Sequence, residues 1–240
     1  MRRITGLLLA TAAVALVGCG SDAVAGSGAL VEDTRPLEDV RGVVASSSFE
    51  VEVAIGEPAQ LVITADDNVL GLVRAEVVDG ALELGLVPGQ RVRDATLRAA
   101  VTVPTVERLQ ASGAASITVD GLVTSSELGV QTSGSARVVA DVLVGRLRSS
   151  ASGSSSVWLA GAADQADLRG SGSARLALGP LTVDDAAIRL SGSSQAELRL
   201  EGEATVDVSG GSRLTWNGDG ELVNVQRSGN AEIDPAPDIE

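Results

Sequence analysis

Seven Ser-Gly pairs recur through the second half of this chain and constrain its fold more than any other feature: Ser112-Gly113, Ser133-Gly134, Ser152-Gly153, Ser171-Gly172, Ser191-Gly192, Ser209-Gly210 and Ser228-Gly229. The intervals are 21, 19, 19, 20, 18 and 19 residues. An apolar residue stands three before the Ser in most copies (Leu109, Val130, Leu168, Ile188, Val206, Val225), and another five after it (Ile117, Val138, Val157, Leu176, Leu214, Ile233). A period near 20 residues marks an array whose units bury their faces only against their neighbours. A disordered Ser/Gly linker would not keep apolar residues at fixed offsets.

Most units carry a second turn signal, at Asp120-Gly121, Ala160-Gly161, Gly179-Pro180, Glu201-Gly202 and Asn217-Gly218. Two turns per unit leave two strands of about six residues, a usual strand length. Gly accepts φ > 0 at such turns, and Ser can bond back to the local backbone. The pattern predicts an all-β chain: a parallel solenoid with Ser-Gly turns, about seven coils of ~19 residues, preceded by an irregular β region. At Ala196 the pattern lapses and Leu198 and Leu200 carry the apolar face, which predicts one coil shifted in register.

The core inventory agrees. Hydrophobic residues make up 44% of the chain, enough to bury a core, yet Phe49, Trp158 and Trp216 are the only aromatics. Small aliphatic side chains suit a slim stacked core.

The N-terminus reads as a targeting segment. Arg2 and Arg3 precede an apolar run from Ile4 to Val17, too short to span a bilayer as a free helix. The run ends in Leu16-Val17-Gly18-Cys19, which resembles the lipobox of bacterial lipoproteins. That resemblance implies cleavage before Cys19 and acylation of its thiol, with a membrane as partner. If the host has an outer membrane, Gly20 resembles the residue found there in lipoproteins exported to it. Cys19 is the only cysteine, so no intramolecular disulfide can form. The expected organisation is a signal peptide over 1–18, a lipidated Cys and flexible linker over 19–35, a β domain over 36–235 and a tail over 236–240.

Beyond the signal, 32 acidic residues face 16 basic ones, a formal charge of −16, and every basic residue is Arg. Such a surface repels nucleic acid and offers no footprint for it.

Ahead of the array, Phe49, Val51, Val53 and Ile55 alternate with polar neighbours as a half-buried strand does. Leu61 to Thr64 reads as a second strand. Asp66-Asp67-Asn68 reads as the opening of a short helix with Asp66 at the N-cap. Asp79-Gly80 sits between two strands as a hairpin turn, and Thr96 to Val103 makes another strand, stopped by Pro104.

Three stretches then carry a family resemblance: residues 49–86, with their Asp-Asp-Asn and Asp-Gly landmarks; VTVPTVERLQASG over 101–113; and the Ser-Gly-Ser turns that follow. Together, over roughly residues 36 to 235, they resemble the bacterial family called putative auto-transporter adhesin, head GIN domain. The resemblance implies a right-handed β-helical solenoid and a role in cell adhesion. No catalytic residues carry over from it.

The inventory for catalysis is poor. With no His, a Ser-His or Cys-His pair and an imidazole metal ligand are impossible. With no Lys there is no Schiff base. The acid pairs Asp66-Asp67, Asp184-Asp185, Asp164/Asp167 and Glu201/Glu203 could supply acid and base, but each is explained as a turn, cap or solvated strand residue. Asn217-Gly218-Asp219-Gly220-Glu221 has oxygen ligands but not the spacing of a calcium loop, and reads as a solenoid turn. Trp216 falls on the inward column. Trp158, between inward Val157 and Leu159, points outward, either as an edge-packed surface residue or as a contact for a partner. The leading reading is a lipid-anchored extracytoplasmic binding or adhesion module, not an enzyme, with no cofactor and with a protein or glycan as candidate ligand. An envelope structural or stress-associated scaffold ranks second, and an enzyme acting on polysaccharide third.

Overall fold

The computed structural model describes residues 23–235. The expected signal peptide, Cys19 and the 236–240 tail lie outside the described residues. In chain order the first strands are β1 (Val24–Ala25), β2 (Leu30–Pro36), β3 (Gly42–Ala45), β4 (Glu50–Ile55) and β5 (Gln60–Asp66). A 3₁₀ turn over Leu70–Leu72 leads to β6 (Val73–Val78), β7 (Ala81–Leu86), β8 (Val92–Arg93) and β9 (Leu97–Val103). The array follows as β10 (Arg108–Ala111), β11 (Ser116–Thr132), β12 (Arg137–Ala151), β13 (Ser156–Gly170) and β14 (Arg175–Leu190). It ends in β15 (Gln195–Leu200), β16 (Glu203–Val208), β17 (Arg213–Asn217), β18 (Glu221–Arg227) and β19 (Glu232–Pro235).

The array is a parallel β-solenoid. Each strand pairs in parallel with the one a repeat later, so that Ile117, Val138, Val157, Leu176, Ala196 and Leu214 stand in one column. Alternation buries this column and its neighbours. Ile117, Val138, Val157, Leu176 and Leu214 have no solvent exposure at all. Two legs make each coil, the first after the Ser-Gly turn and the second before the next one. In β11 to β14 the chain stays extended through the corner between them, with Gly121 and Gly161 at φ +103° and +109°.

The Ser-Gly turns stack directly on one another. All seven glycines have φ between +70° and +76°. The residue after each Gly donates its N–H to the carbonyl one coil earlier, as in Ser154 to Gly134 (2.8 Å) and Ser173 to Gly153 (2.7 Å). A Cβ on Gly172 would lie 2.9 Å from the Gly153 carbonyl oxygen. Glycine is therefore required twice, for its φ and for the approach of the backbones. Behind it a column of small buried residues (Ala136, Ser155, Ala174, Ser194, Ser212, Ala231) closes the turn. The Ser155, Ser194 and Ser212 hydroxyls donate to the carbonyls of Ser152, Ser191 and Ser209 at 2.8, 3.0 and 2.8 Å.

An eighth turn begins this column. Ser46-Ser47 takes the place of Ser-Gly, with Ser47 at φ +64° and its carbonyl accepting the Ala114 N–H at 2.7 Å. The offsets were already in the sequence: Val43 stands three before Ser46 and Val51 five after it. Both are buried.

The irregular β region proves to be the N-terminal cap of the same sheet. After β4 the chain leaves the coil and makes the β6–β7 hairpin around Asp79 (φ +50°) and Gly80 (φ +73°), as expected from the pair. It lays β7 parallel to β3 and β9 parallel to β4 before re-entering the array at β10. β5 runs antiparallel to β9 and covers that end of the core, and β2 in turn pairs with β5.

Four expectations need correction. Residues 23–35 are not free linker: β1 pairs with β8, and Leu30 to Pro36 pairs residue for residue with Asp66 to Gln60. Backbone hydrogen bonds hold this segment, and its small polar side chains gave no sign of them. Asp66 is not a helix cap, because the short turn is capped at Val69 without a side-chain bond. Ala196 is in register with Leu176 and Leu214, so that coil is not displaced there. Differences in coil length are absorbed at the second corner instead, between Thr118 and Leu122, Trp158 and Gly161, and Leu178 and Thr182. Finally, Val225 follows the repeat yet is 47% exposed, because it lies on the last coil beside the bulge at Asn224 (φ +49°).

Candidate binding surfaces

Every second residue of each leg faces outward, so the surface is a set of columns with one residue per coil. On the first leg one column pairs Arg98 with Glu50 (3.1 Å), Arg175 with Gln195 (3.1 Å), and Arg213 with Glu232. The next holds Trp158, as alternation predicts, between Val139 on one side and Ala177 on the other. Its small neighbours leave the indole standing proud, 39% exposed. Further along, Ala162 stands beside the exposed Leu143 (54%), while the exposed Asp141 separates Ala160 from Leu122 (49%). Trp216 turns the other way, opposite Leu198, and packs against the core.

Each acid pair has at least one carboxylate bonded within the fold. The Asp66 carboxylate is buried and accepts N–H groups from Gly28 (2.6 Å) and Thr96 (2.7 Å), tying the N-terminal segment to the start of β9. The Thr96 and Gly28 bonds hold its carboxyl below the usual carboxylate range, against the opposing effect of burial. Asp67 accepts the Ser27 hydroxyl at 2.5 Å. Asp167 bridges Arg169 (2.7 Å) and Arg189 (3.6 Å). Asp185 accepts the Glu203 N–H at 3.1 Å, and Glu201 pairs with Arg199 at 2.7 Å. Asn217 to Glu221 forms the corner between β17 and β18, where Gly220 and Glu221 donate to Leu200 and Gly202 at 2.9 and 2.8 Å. Among the described residues no group of three or more His, Cys, Asp or Glu is placed to hold a metal ion. No helix among them is long and apolar enough to cross a membrane.

Solved structures share this architecture. A putative adhesin from Bacteroides fragilis superposes with a TM-score of 0.81 at 17% identity, covering 89% of this chain and all of that one. A putative lipid binding protein from Parabacteroides distasonis gives 0.73 at 14% identity, covering 90% of this chain and 100% of that chain. A putative adhesin from Parabacteroides merdae gives 0.66 at 17%, with coverage of 90% and 100%. At such identities the likeness establishes the fold alone. Among curated proteins none matches the chain. The family model for the putative auto-transporter adhesin, head GIN domain, matches residues 40–220, from just before β3 through most of the N-terminal cap and the sixth Ser-Gly turn to the last corner. The chain belongs to that family.

Proposed function

We propose that this protein is a lipid-anchored, extracytoplasmic binding module that adheres to a protein or glycan through the outer face of its solenoid and performs no catalysis. The observation that carries the reading is Trp158, the only exposed aromatic among the described residues, standing in a small apolar patch with Val139 and Ala177. A large aromatic held rigidly on a sheet gives contact area at little entropic cost, the property that makes Trp a frequent hot spot. Nothing in the packing of the coils requires it, since the same column carries Thr118, Val139 and Ala177. Membership of an adhesin-like family supports a surface location and a binding role.

Acylation of Cys19 is the anchor in this reading. Because Val24 already pairs with Val92 in β8, the reach from Cys19 to the domain is at most ~18 Å at ~3.5 Å per residue, well short of a long flexible tether. The cap end of the solenoid then stays near the headgroups and the coils carry the contact face away from them. The test is adherence of cells displaying the full chain to protein- or glycan-coated surfaces and to neighbouring cells. Trp158→Ala should abolish adherence without changing surface amount or stability, and Thr118→Ala in the same column should not. Undiminished adherence of Trp158→Ala would remove the patch from the mechanism.

A further inference from the structure

The outward face of the second leg holds a feature of a different kind, a polar groove running across the coils. It starts as a depression of about 620 Å³ beside Arg41, Gly42, Asp79 and Arg108. Through Arg108 and Glu127 it continues into a second of about 290 Å³ around Gly129, Gln131 and Arg148. Through Ser150 and Arg169 it runs on to Arg189 and Asp207. From the Gly42 strand to the Thr205 strand it crosses six strand spacings, roughly 29 Å at ~4.8 Å each.

We infer that this groove binds an extended, uncharged polysaccharide segment lying along the solenoid axis. The inference rests on the reading of the chain as a binding module and names the ligand class for a second surface.

Three observations carry it. Gly129 occupies the outward column between Arg108 and Arg148. Its φ is not left-handed, and a Cβ there would come no closer than 3.8 Å to any atom. Neither conformation nor packing demands glycine at this position, and glycine weakens a strand interior. What its missing side chain does is keep a notch open between two guanidinium stems about two strand spacings apart, roughly 10 Å.

The adjacent column presents Gln110, Gln131 and Ser150 on successive coils. None of the three side chains has a hydrogen-bond partner among the described residues, although stacked Gln residues in parallel strands readily bond to each other. Arg108 likewise has no carboxylate partner among them. Donors and acceptors repeated once per strand match a polymer whose hydroxyls repeat at about the length of one sugar ring. A coiled glucan would not follow a straight row.

Charge selects the ligand class. The groove's arginines are nearly balanced by its carboxylates, such as Glu107, Glu127, Asp167 and Asp207. On a chain of net charge −14 it therefore offers no field to draw in a polyanion. It also holds none of the large exposed hydrophobic residues that an apolar peptide would seek.

The test is calorimetric titration of the full chain in detergent with the extended β-1,4-linked cellohexaose, chitohexaose and mannohexaose, with polygalacturonate as the anionic comparison. At least one neutral hexaose should bind, more tightly than its trimer and equally in low and high salt. Gly129→Leu should reduce affinity at least about tenfold, a loss of ~1.4 kcal/mol. Gln131→Ala, which leaves the strand untouched, should reduce it in the same direction, and Trp158→Ala should not change it. Failure of all three hexaoses, equal binding by Gly129→Leu and Gln131→Ala, or preference for polygalacturonate that salt abolishes would each overturn the inference. Loss of adherence in Trp158→Ala with unchanged hexaose binding would separate the two surfaces, so either reading can fail alone.

Discussion

Replacing Gly172 by Val should destabilise the solenoid far more than the same change at Gly229. At Gly172 the new side chain meets two separate costs. The residue has φ +72°, and holding an L-residue there costs about 1–2 kcal/mol. The Cβ would also lie 2.9 Å from the Gly153 oxygen and 3.1 Å from its nitrogen, both backbone atoms that cannot swing aside. Relief requires the turn to lift. Lifting strains the Ser173 N–H bond to Gly153 below and the Ser193 N–H bond to Gly172 above, both 2.7 Å, each worth about 1 kcal/mol net. The loss should therefore be roughly 3–4 kcal/mol, which at an m-value of ~2 kcal/mol/M moves the urea midpoint by about 1.5–2 M. Gly229 has the same φ and the same 2.9 Å approach, to Gly210. Its carbonyl, however, receives no turn N–H from a later coil among the described residues. There the last coil can fray, and the shift should stay below about 1 M. Urea melts of both variants, followed by circular dichroism, decide the matter. Equal midpoints, or no loss at Gly172, would refute the claim that stacking of the turns through both neighbours sets the stability of the array.

Further outcomes follow from three particular residues. Ser149 occupies the column position filled by Val130 and Leu168 on either side, and its buried hydroxyl has no partner; Ser149→Val should raise stability by about 1 kcal/mol, and a lowered melting temperature would count against it. Asp66→Asn should free residues 23–30 for amide exchange while the central coils keep their protection, because Gly28 and Thr96 donate to different carboxylate oxygens and one of these becomes an NH2 donor. As the Asp66 pKa is lowered on folding, its contribution is present above about pH 4, the unfolded value, and is lost as pH falls through the lower folded one. Acid should therefore release the N-terminal segment first; simultaneous loss of all protection would contradict this. Cys19→Ala should leave an unacylated precursor, seen by mass spectrometry, that no longer partitions into detergent; unchanged partitioning would exclude the lipid anchor.

The part of the fold legible in the sequence is the part governed by local chemistry. A turn needing φ > 0 and strands needing alternation leave marks at every repeat, so the glycine column, the buried column from Ile117 to Leu214 and the outward direction of Trp158 were all legible. The marks fail where the backbone alone does the work. β2 is a polar strand held through its N–H and C=O groups by β5, and nothing in Leu30 to Pro36 announces a partner some thirty residues on. The Ser46-Ser47 turn was hidden because Ser replaces Gly there, and because the cap strands separate it from the next turn. Asp66 was misread for a related reason. An Asp before a turn ordinarily bonds forward to its own helix, whereas this one bonds to Gly28 and Thr96, groups distant in sequence. The polar groove of the second leg depends on which residues fall one above another, and register exists only once the coils are stacked.

The corners that absorb unequal coil lengths suggest a use for the molecule as a measuring rod. Two extra residues between Thr118 and Leu122, and one between Ala177 and Leu181, leave the Ser-Gly column undisturbed above and below them. Short sequences grafted at these corners should be tolerated in the same way, and they would project from one side of a rigid body at intervals of a single strand. Two epitopes placed on chosen coils would then stand apart by a whole number of steps of about 4.8 Å.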